Sequence, residues 1–173
     1  MLLSIDQMPI LTGIAVPAEA YVVLNTPATL AGMSYPNDQR WAGLFAVGIK
    51  WVVCLTEDVV PYNPAPLQIG HCSKLTDLYG GKFPSNPGQE EQRIRTAAER
   101  IIEFLLAGEG VVVHCAGGTG RTGSVLGCAL VSLGYAPSDV IAYLDDLHRT
   151  RGRGWPESPW QAEVVQHARR SDA

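Results

Sequence analysis

The segment Val111-Val-Val-His-Cys-Ala-Gly-Gly-Thr-Gly-Arg-Thr-Gly123 constrains this chain more than any other stretch. Three consecutive valines bounded by turn signals read as a strand buried on both faces, the kind found inside a parallel sheet. That strand delivers Cys115 at its C-terminal end. Five residues follow, Ala116, Gly117, Gly118, Thr119 and Gly120, three of them glycine, and Arg121 then opens a helix. Glycine suits a chain that bends tightly and approaches a ligand with no Cβ in the way. The N–H groups of such a turn can converge on an anion, with the helix N-terminus adding to the field. Arg121 supplies a planar fork able to grip two phosphate oxygens.

The rest of the chain agrees with an α/β fold. Tyr21–Leu24 and Leu30–Met33 read as short strands broken by Pro27, and Trp51–Leu55 and Leu67–Cys72 as two more. A short helix is expected over Asn37–Val47. Val59–Pro66 carries three prolines and reads as loop. Leu75–Pro87 is a long loop marked by glycine and proline, of the sort that often carries function. From Gln89 to Leu106 the residues Ile94, Ala97, Ala98, Ile101, Ile102, Leu105 and Leu106 recur at helical spacing, with Glu90 and Glu91 suiting the first turn. Helices are expected over Arg121–Leu133 and Ser138–His148, and a last one from Pro159. Strands interleaved with helices predict one domain over residues 1–173, a central and mostly parallel sheet flanked by helices.

Length and charge narrow the partners. A chain of 173 residues can bury a core without disulfide or metal staples. A net charge of −4 argues against broad nucleic-acid binding, which goes with a basic surface. Every apolar run is interrupted before it could span a bilayer, and no signal-peptide pattern opens the chain. Cys54, Cys72, Cys115 and Cys128 show no paired metal spacing. A monomer in a reducing, cytoplasmic setting is the expectation, with no cofactor and no metal.

The same turn that cradles an anion acts on the sulfur. A helix N-terminus and a guanidinium favour the thiolate, the form that attacks. A nucleophile in a cradle shaped for three equatorial oxygens is what in-line displacement at phosphorus requires. Thr122 is expected to donate a hydroxyl hydrogen bond to the sulfur. His114, on strand alternation, faces away and fixes the loop. Bland roles weigh against each lone residue. Cys54, Cys72 and Cys128 read as small buried hydrophobes, with Cys54 or Cys72 a weak contender for a reversible disulfide to Cys115. His71, His148 and His167 read as surface or structural, and Arg149, Arg151 and Arg153 as a solvated basic run that could meet a charged substrate. Gly118–Gly123 also matches G-x-G-x-x-G. Two helical patterns follow it, however, where a dinucleotide fold needs a strand ending in an acid. No lysine follows the glycines, so an ATP-binding loop fails as well.

His-Cys, five residues, then Arg-Thr resembles the signature of the protein tyrosine phosphatase superfamily, and in particular its dual-specificity branch. Gly48-Ile-Lys-Trp-Val-Val-Cys-Leu-Thr-Glu57 is similar to the strand that precedes the catalytic region there, and the likeness covers about residues 30–161. The resemblance implies a cysteine-dependent phosphatase with a phosphocysteine intermediate. In it Cys115 is the nucleophile, Arg121 binds the phosphate and its transition state, and residues 116–121 form the cradle. It implies an aspartate on a mobile loop as general acid and base. Asp77 stands where the family places that acid, with Asp58 the alternative; Leu78 and Tyr79 follow Asp77 where relatives carry glycines. Arg151-Gly-Arg-Gly-Trp-Pro-Glu-Ser-Pro-Trp-Gln161 resembles the closing segment of the family. There Gln161 either orients water or, as the better reading, caps and packs. Phosphorylated protein is the expected substrate, on tyrosine and serine/threonine. The same chemistry on phosphoinositides, RNA 5′-phosphates or small metabolites is the alternative. A phosphate-recognising domain without catalysis is disfavoured, because cysteine, arginine and acid are all present.

Overall fold

The structure, a computed structural model, describes residues 14–15, 20–36 and 41–169. The valine run forms β6 (Gly110–His114), and every one of its residues is buried. It is flanked on both sides by parallel neighbours, β3 (Leu30–Met33) and β4 (Ile49–Cys54). Beyond β4 lies β5 (Gln68–Cys72), also parallel. Beyond β3 come β2 (Tyr21–Leu24) and the two-residue β1 (Ile14–Ala15), both antiparallel. Among the described residues the sheet thus has six strands, in the order β1-β2-β3-β6-β4-β5.

Strand alternation divides the core between the two faces. Val111 and Val113 join a cluster with α2 (Pro87–Leu106), α3 (Gly120–Leu133), α4 (Pro137–Thr150) and α5 (Pro159–Gln166). Val112 turns to a smaller cluster with Trp41 and Leu44 of α1 (Trp41–Ala46). The helices begin where local chemistry starts them. Asn86 caps α2 by accepting from the Gln89 N–H at 3.2 Å, and Pro87, Pro137 and Pro159 occupy first-turn positions where no N–H is needed. The expected strand over Trp51–Leu55 is shifted two residues earlier at its start, because the ladder with β6 already runs from Ile49. Of the helix expected over Asn37–Val47, residues 37–40 lie outside the described residues, and the helix seen is Trp41–Ala46.

The consequence for function is directional. All four parallel strands end at one edge, where open α/β sheets place their ligands. At that edge the chain leaves β6 through Cys115 and leaves β5 toward Asp77. The Leu75 N–H, bonded to the Leu55 carbonyl at 3.0 Å, holds this second exit across the end of β4.

Candidate active site

Residues 115–121 wrap around a pocket of about 180 Å³ lined by Cys115, Ala116, Gly117, Thr119, Gly120 and Arg121. Opposite them stand Asp77 and Tyr79 from the loop after β5, and Arg153 and Glu157 from the segment between α4 and α5. The turn is held from outside by its carbonyls. The Ala116 carbonyl accepts from Tyr35 N–H at 2.9 Å. That of Gly117 accepts from Ser34 Oγ at 3.2 Å and Arg151 Nη2 at 3.3 Å. That of Gly118 accepts from Tyr21 Oη at 2.7 Å and Arg151 Nη1 at 3.2 Å. In a trans peptide the N–H of the next residue points opposite to the carbonyl. Three outward carbonyls therefore aim the Gly117, Gly118 and Thr119 amides the other way, toward the pocket.

Two glycines make this path possible. Gly118 has φ +70°, and a Cβ on it would lie 2.5 Å from the Met33 carbonyl carbon. At Gly120 a Cβ would collide with the Glu157 carboxylate. The clamp behind the turn is a set the sequence reading missed. Tyr21 and Arg151 bind its carbonyls, with the Arg151 guanidinium 4.5 Å from the Tyr21 ring centroid. His148 stands 2.9 Å from Arg151 Nη1 through Nδ1 and meets Tyr21 edge-on. An arginine can only donate, so Nδ1 accepts and the proton sits on Nε2. Burial, then Arg151 and Arg153, push the His148 pKa down to about 3, so the ring is neutral. Of the basic run, Arg149 and Arg153 are exposed as expected, and only Arg151 is drawn inward. Arg149 pairs with Asp145 and Asp146 on the surface of α4, Arg151 is structural, and Arg153 lines the pocket.

His114 is fully buried, with Nδ1 3.2 Å from the Cys115 carbonyl and Nε2 2.6 Å from Tyr62 Oη. Burial holds its pKa below the ordinary value. Thr122 differs. Its hydroxyl is buried in the first turn of α3 with no hydrogen-bond partner, so the expected bond to the Cys115 sulfur is not made. Asp77 lies on the pocket wall, its Oδ1 accepting the Tyr79 N–H at 3.0 Å. Asp58 lies elsewhere, accepting the Lys74 N–H at 2.9 Å and pairing with Arg93 at 3.8 Å. Gln161 is buried, and its Oε1 accepts the N–H groups of Glu157 at 2.8 Å and Ser158 at 3.3 Å. It caps α5 and lines no part of the pocket.

All four cysteines are free thiols. Cys54 Sγ donates to Glu57 at 3.2 Å, and Cys72 Sγ to the Asp58 carbonyl at 2.8 Å. Neither lines the pocket of Cys115. Burial pushes the Cys128 thiol up to about 12, which leaves it protonated and unreactive at neutral pH. Among the described residues, no helix is long and apolar enough to cross a membrane.

A family model described as PTP-SAK, the Swiss Army Knife protein, DSP-PTPase phosphatase domain, matches residues 20–154. The chain belongs to this family. That span runs from β2 through the whole glycine turn to the pocket-lining Arg153, so this PTP-SAK domain contains every wall of the pocket except Glu157. Protein 067L of Invertebrate iridescent virus 3, whose name describes a tyrosine phosphatase, is 28% identical to it; the match covers 76% of this chain and 58% of that protein's length. The active form of Tk-PTP is 24% identical with a TM-score of 0.56, covering 81% of this chain and 89% of that one. TpbA of P. aeruginosa is 20% identical with a TM-score of 0.58, covering 91% of each chain. At these identities the likeness to the solved structures is one of fold.

Proposed function

We propose that this PTP-SAK domain hydrolyses phosphate monoesters in two steps through a phosphocysteine. The observation that carries the reading is the convergence of Cys115, the inward amides of the turn, Arg121 and Asp77 on one small pocket. In the first step the Cys115 thiolate attacks phosphorus, and the ester oxygen departs with a proton from Asp77. The amides and the Arg121 guanidinium neutralise the charge on the equatorial oxygens; Arg121 is steadied by its 3.5 Å contact to the Leu75 carbonyl on the acid loop. In the second step water attacks the phosphocysteine, gives a proton to the carboxylate, and the thiolate leaves.

The pocket is small and walled by the loop of Asp77 and Tyr79 and by the segment of Arg153 and Glu157, and on this reading it accepts phosphotyrosine as well as phosphoserine and phosphothreonine on protein substrates. Replacement Cys115→Ser is expected to abolish turnover while vanadate still binds. Retained turnover in that variant overturns the mechanism. A panel of phosphopeptides, phosphoinositides and 5′-phosphorylated RNA on the purified protein decides the substrate class, and preference for a non-protein ester would replace the protein-substrate reading.

A further inference from the structure

The pocket holds a second carboxyl group to which the two-step scheme gives no task. Glu157 is half-buried and shares the pocket wall with Asp77, Arg121 and Arg153, above Cys115. Its position is fixed from both sides. The Glu157 carbonyl accepts the Gly81 N–H of the acid loop at 2.9 Å, and its own N–H donates to Gln161 Oε1 at 2.8 Å. The first bond stitches the loop of Asp77 to the segment of Glu157; the second ties that segment to α5. The carboxylate reaches the rim of the phosphate turn at Gly120, where an added Cβ would meet its Oε1 and the side chain would have to shift.

We propose that Glu157 is a second proton-transfer residue of this site, sharing with Asp77 the proton that goes to the leaving oxygen and the one taken from water. The inference rests on the two-step reading above. Its balance is that of the same reaction. The S–P bond forms as the P–O ester bond breaks, and a carboxyl proton moves to the departing oxygen. Water then forms a P–O bond, returns a proton to the carboxylate pair, and the S–P bond breaks. Desolvation and the charge of Asp77 raise the Glu157 pKa, while Arg121, Arg153 and the Gly120 amide pull it the other way. These groups, with Cys115 below, are the charged and titratable neighbours that face it from the acid loop, the phosphate turn and its own segment. A carboxyl group raised toward neutrality is better matched to proton transfer near neutral pH.

The test uses the full chain and aryl phosphates whose leaving groups span a wide range of basicity. Replacement Glu157→Gln keeps the shape and removes the proton. It is expected to lower kcat about 10- to 100-fold on esters with poor leaving groups and much less on those with good ones. The alkaline limb of the pH–rate profile should move to lower pH, because the carboxyl group with the raised pKa is gone. Adding Asp77→Asn should lower kcat below that of Asp77→Asn alone. Wild-type kcat and an unmoved profile in Glu157→Gln overturn the proposal, and so does a loss equal for all leaving groups. Vanadate competition reports whether each variant still folds its phosphate turn. If Glu157→Gln does not, Glu157→Ala is measured instead, and the same two outcomes decide. Cys115→Ser separates the two readings. Turnover that survives it removes the scheme itself, whereas a dead Cys115→Ser with an unaffected Glu157→Gln removes only the role of Glu157.

Discussion

Gly118 occupies a point in the phosphate turn where backbone conformation and space both exclude a side chain. Its φ is +70°, and an added Cβ would sit 2.5 Å from the Met33 carbonyl carbon and 2.6 Å from its oxygen. Gly118→Ala therefore has to strain the turn or push β3 away from it. It is expected to cost about 1–3 kcal/mol of stability in urea unfolding. It should also lower kcat/KM more than that loss alone explains, since the amides on either side are re-aimed. Unchanged kinetics would mean that the turn is not the catalytic cradle. The same residue shows why Tyr21 matters. Its hydroxyl donates to the Gly118 carbonyl, and burial raises its pKa, so the proton needed for that bond stays in place.

At the scale of elements, the first turn of α2 sets the acid loop. Glu90 is buried at 7% exposure, and its carboxylate accepts the Thr76 N–H at 2.7 Å and the Thr76 hydroxyl at 3.0 Å. Thr76 immediately precedes Asp77, so a helix of 20 residues anchored on the sheet fixes where the acid stands. Glu90→Ala leaves both Thr76 donors without that acceptor. The expected outcome is a roughly 10-fold fall in kcat on esters with poor leaving groups, a smaller one on good leaving groups, and unaltered vanadate affinity. An equal fall on both would assign Glu90 to stability alone.

For the whole molecule, buried imidazoles couple folding to pH. His148 and His114 both have folded pKa values below the ordinary 6.5, in each case through burial first. A histidine held neutral in the fold must take up a proton when the chain unfolds in acid. Its contribution is therefore full above about pH 6.5 and is lost as pH falls below that value; for His148 the loss continues to about pH 3. Each histidine adds at most about 1.4 kcal/mol per pH unit to the slope. Urea unfolding between pH 8 and 5 should show stability dropping on the acid side, and His148→Gln should make that slope shallower. A flat profile would mean that these rings are protonated in the native state.

The primary structure alone determined the strand–turn–helix around Cys115, because a run of valines, three glycines and an arginine leave the backbone few other courses. It also determined the amphipathic α2, from its periodicity, and a mostly parallel sheet, from the interleaving of strands and helices; the strand order came only with the structure. Asp77 was preferred over Asp58 from a resemblance, and the path of the loop after β5 is what brings Asp77 alone to the pocket wall. Only the tertiary structure decided the rest. Tyr21 and Arg151 lie 130 positions apart in sequence, yet together they hold the carbonyls of one turn. Glu157 reads as one more loop acid until folding sets it against Gly120 and Gly81. Thr122, expected to bond the sulfur, is buried with its hydroxyl unpartnered, whereas the capping role of Gln161 was already the better reading of the sequence. Contacts of this kind depend on which side chains meet across the sheet's carboxyl edge, and no local pattern of hydrophobicity or charge encodes that meeting.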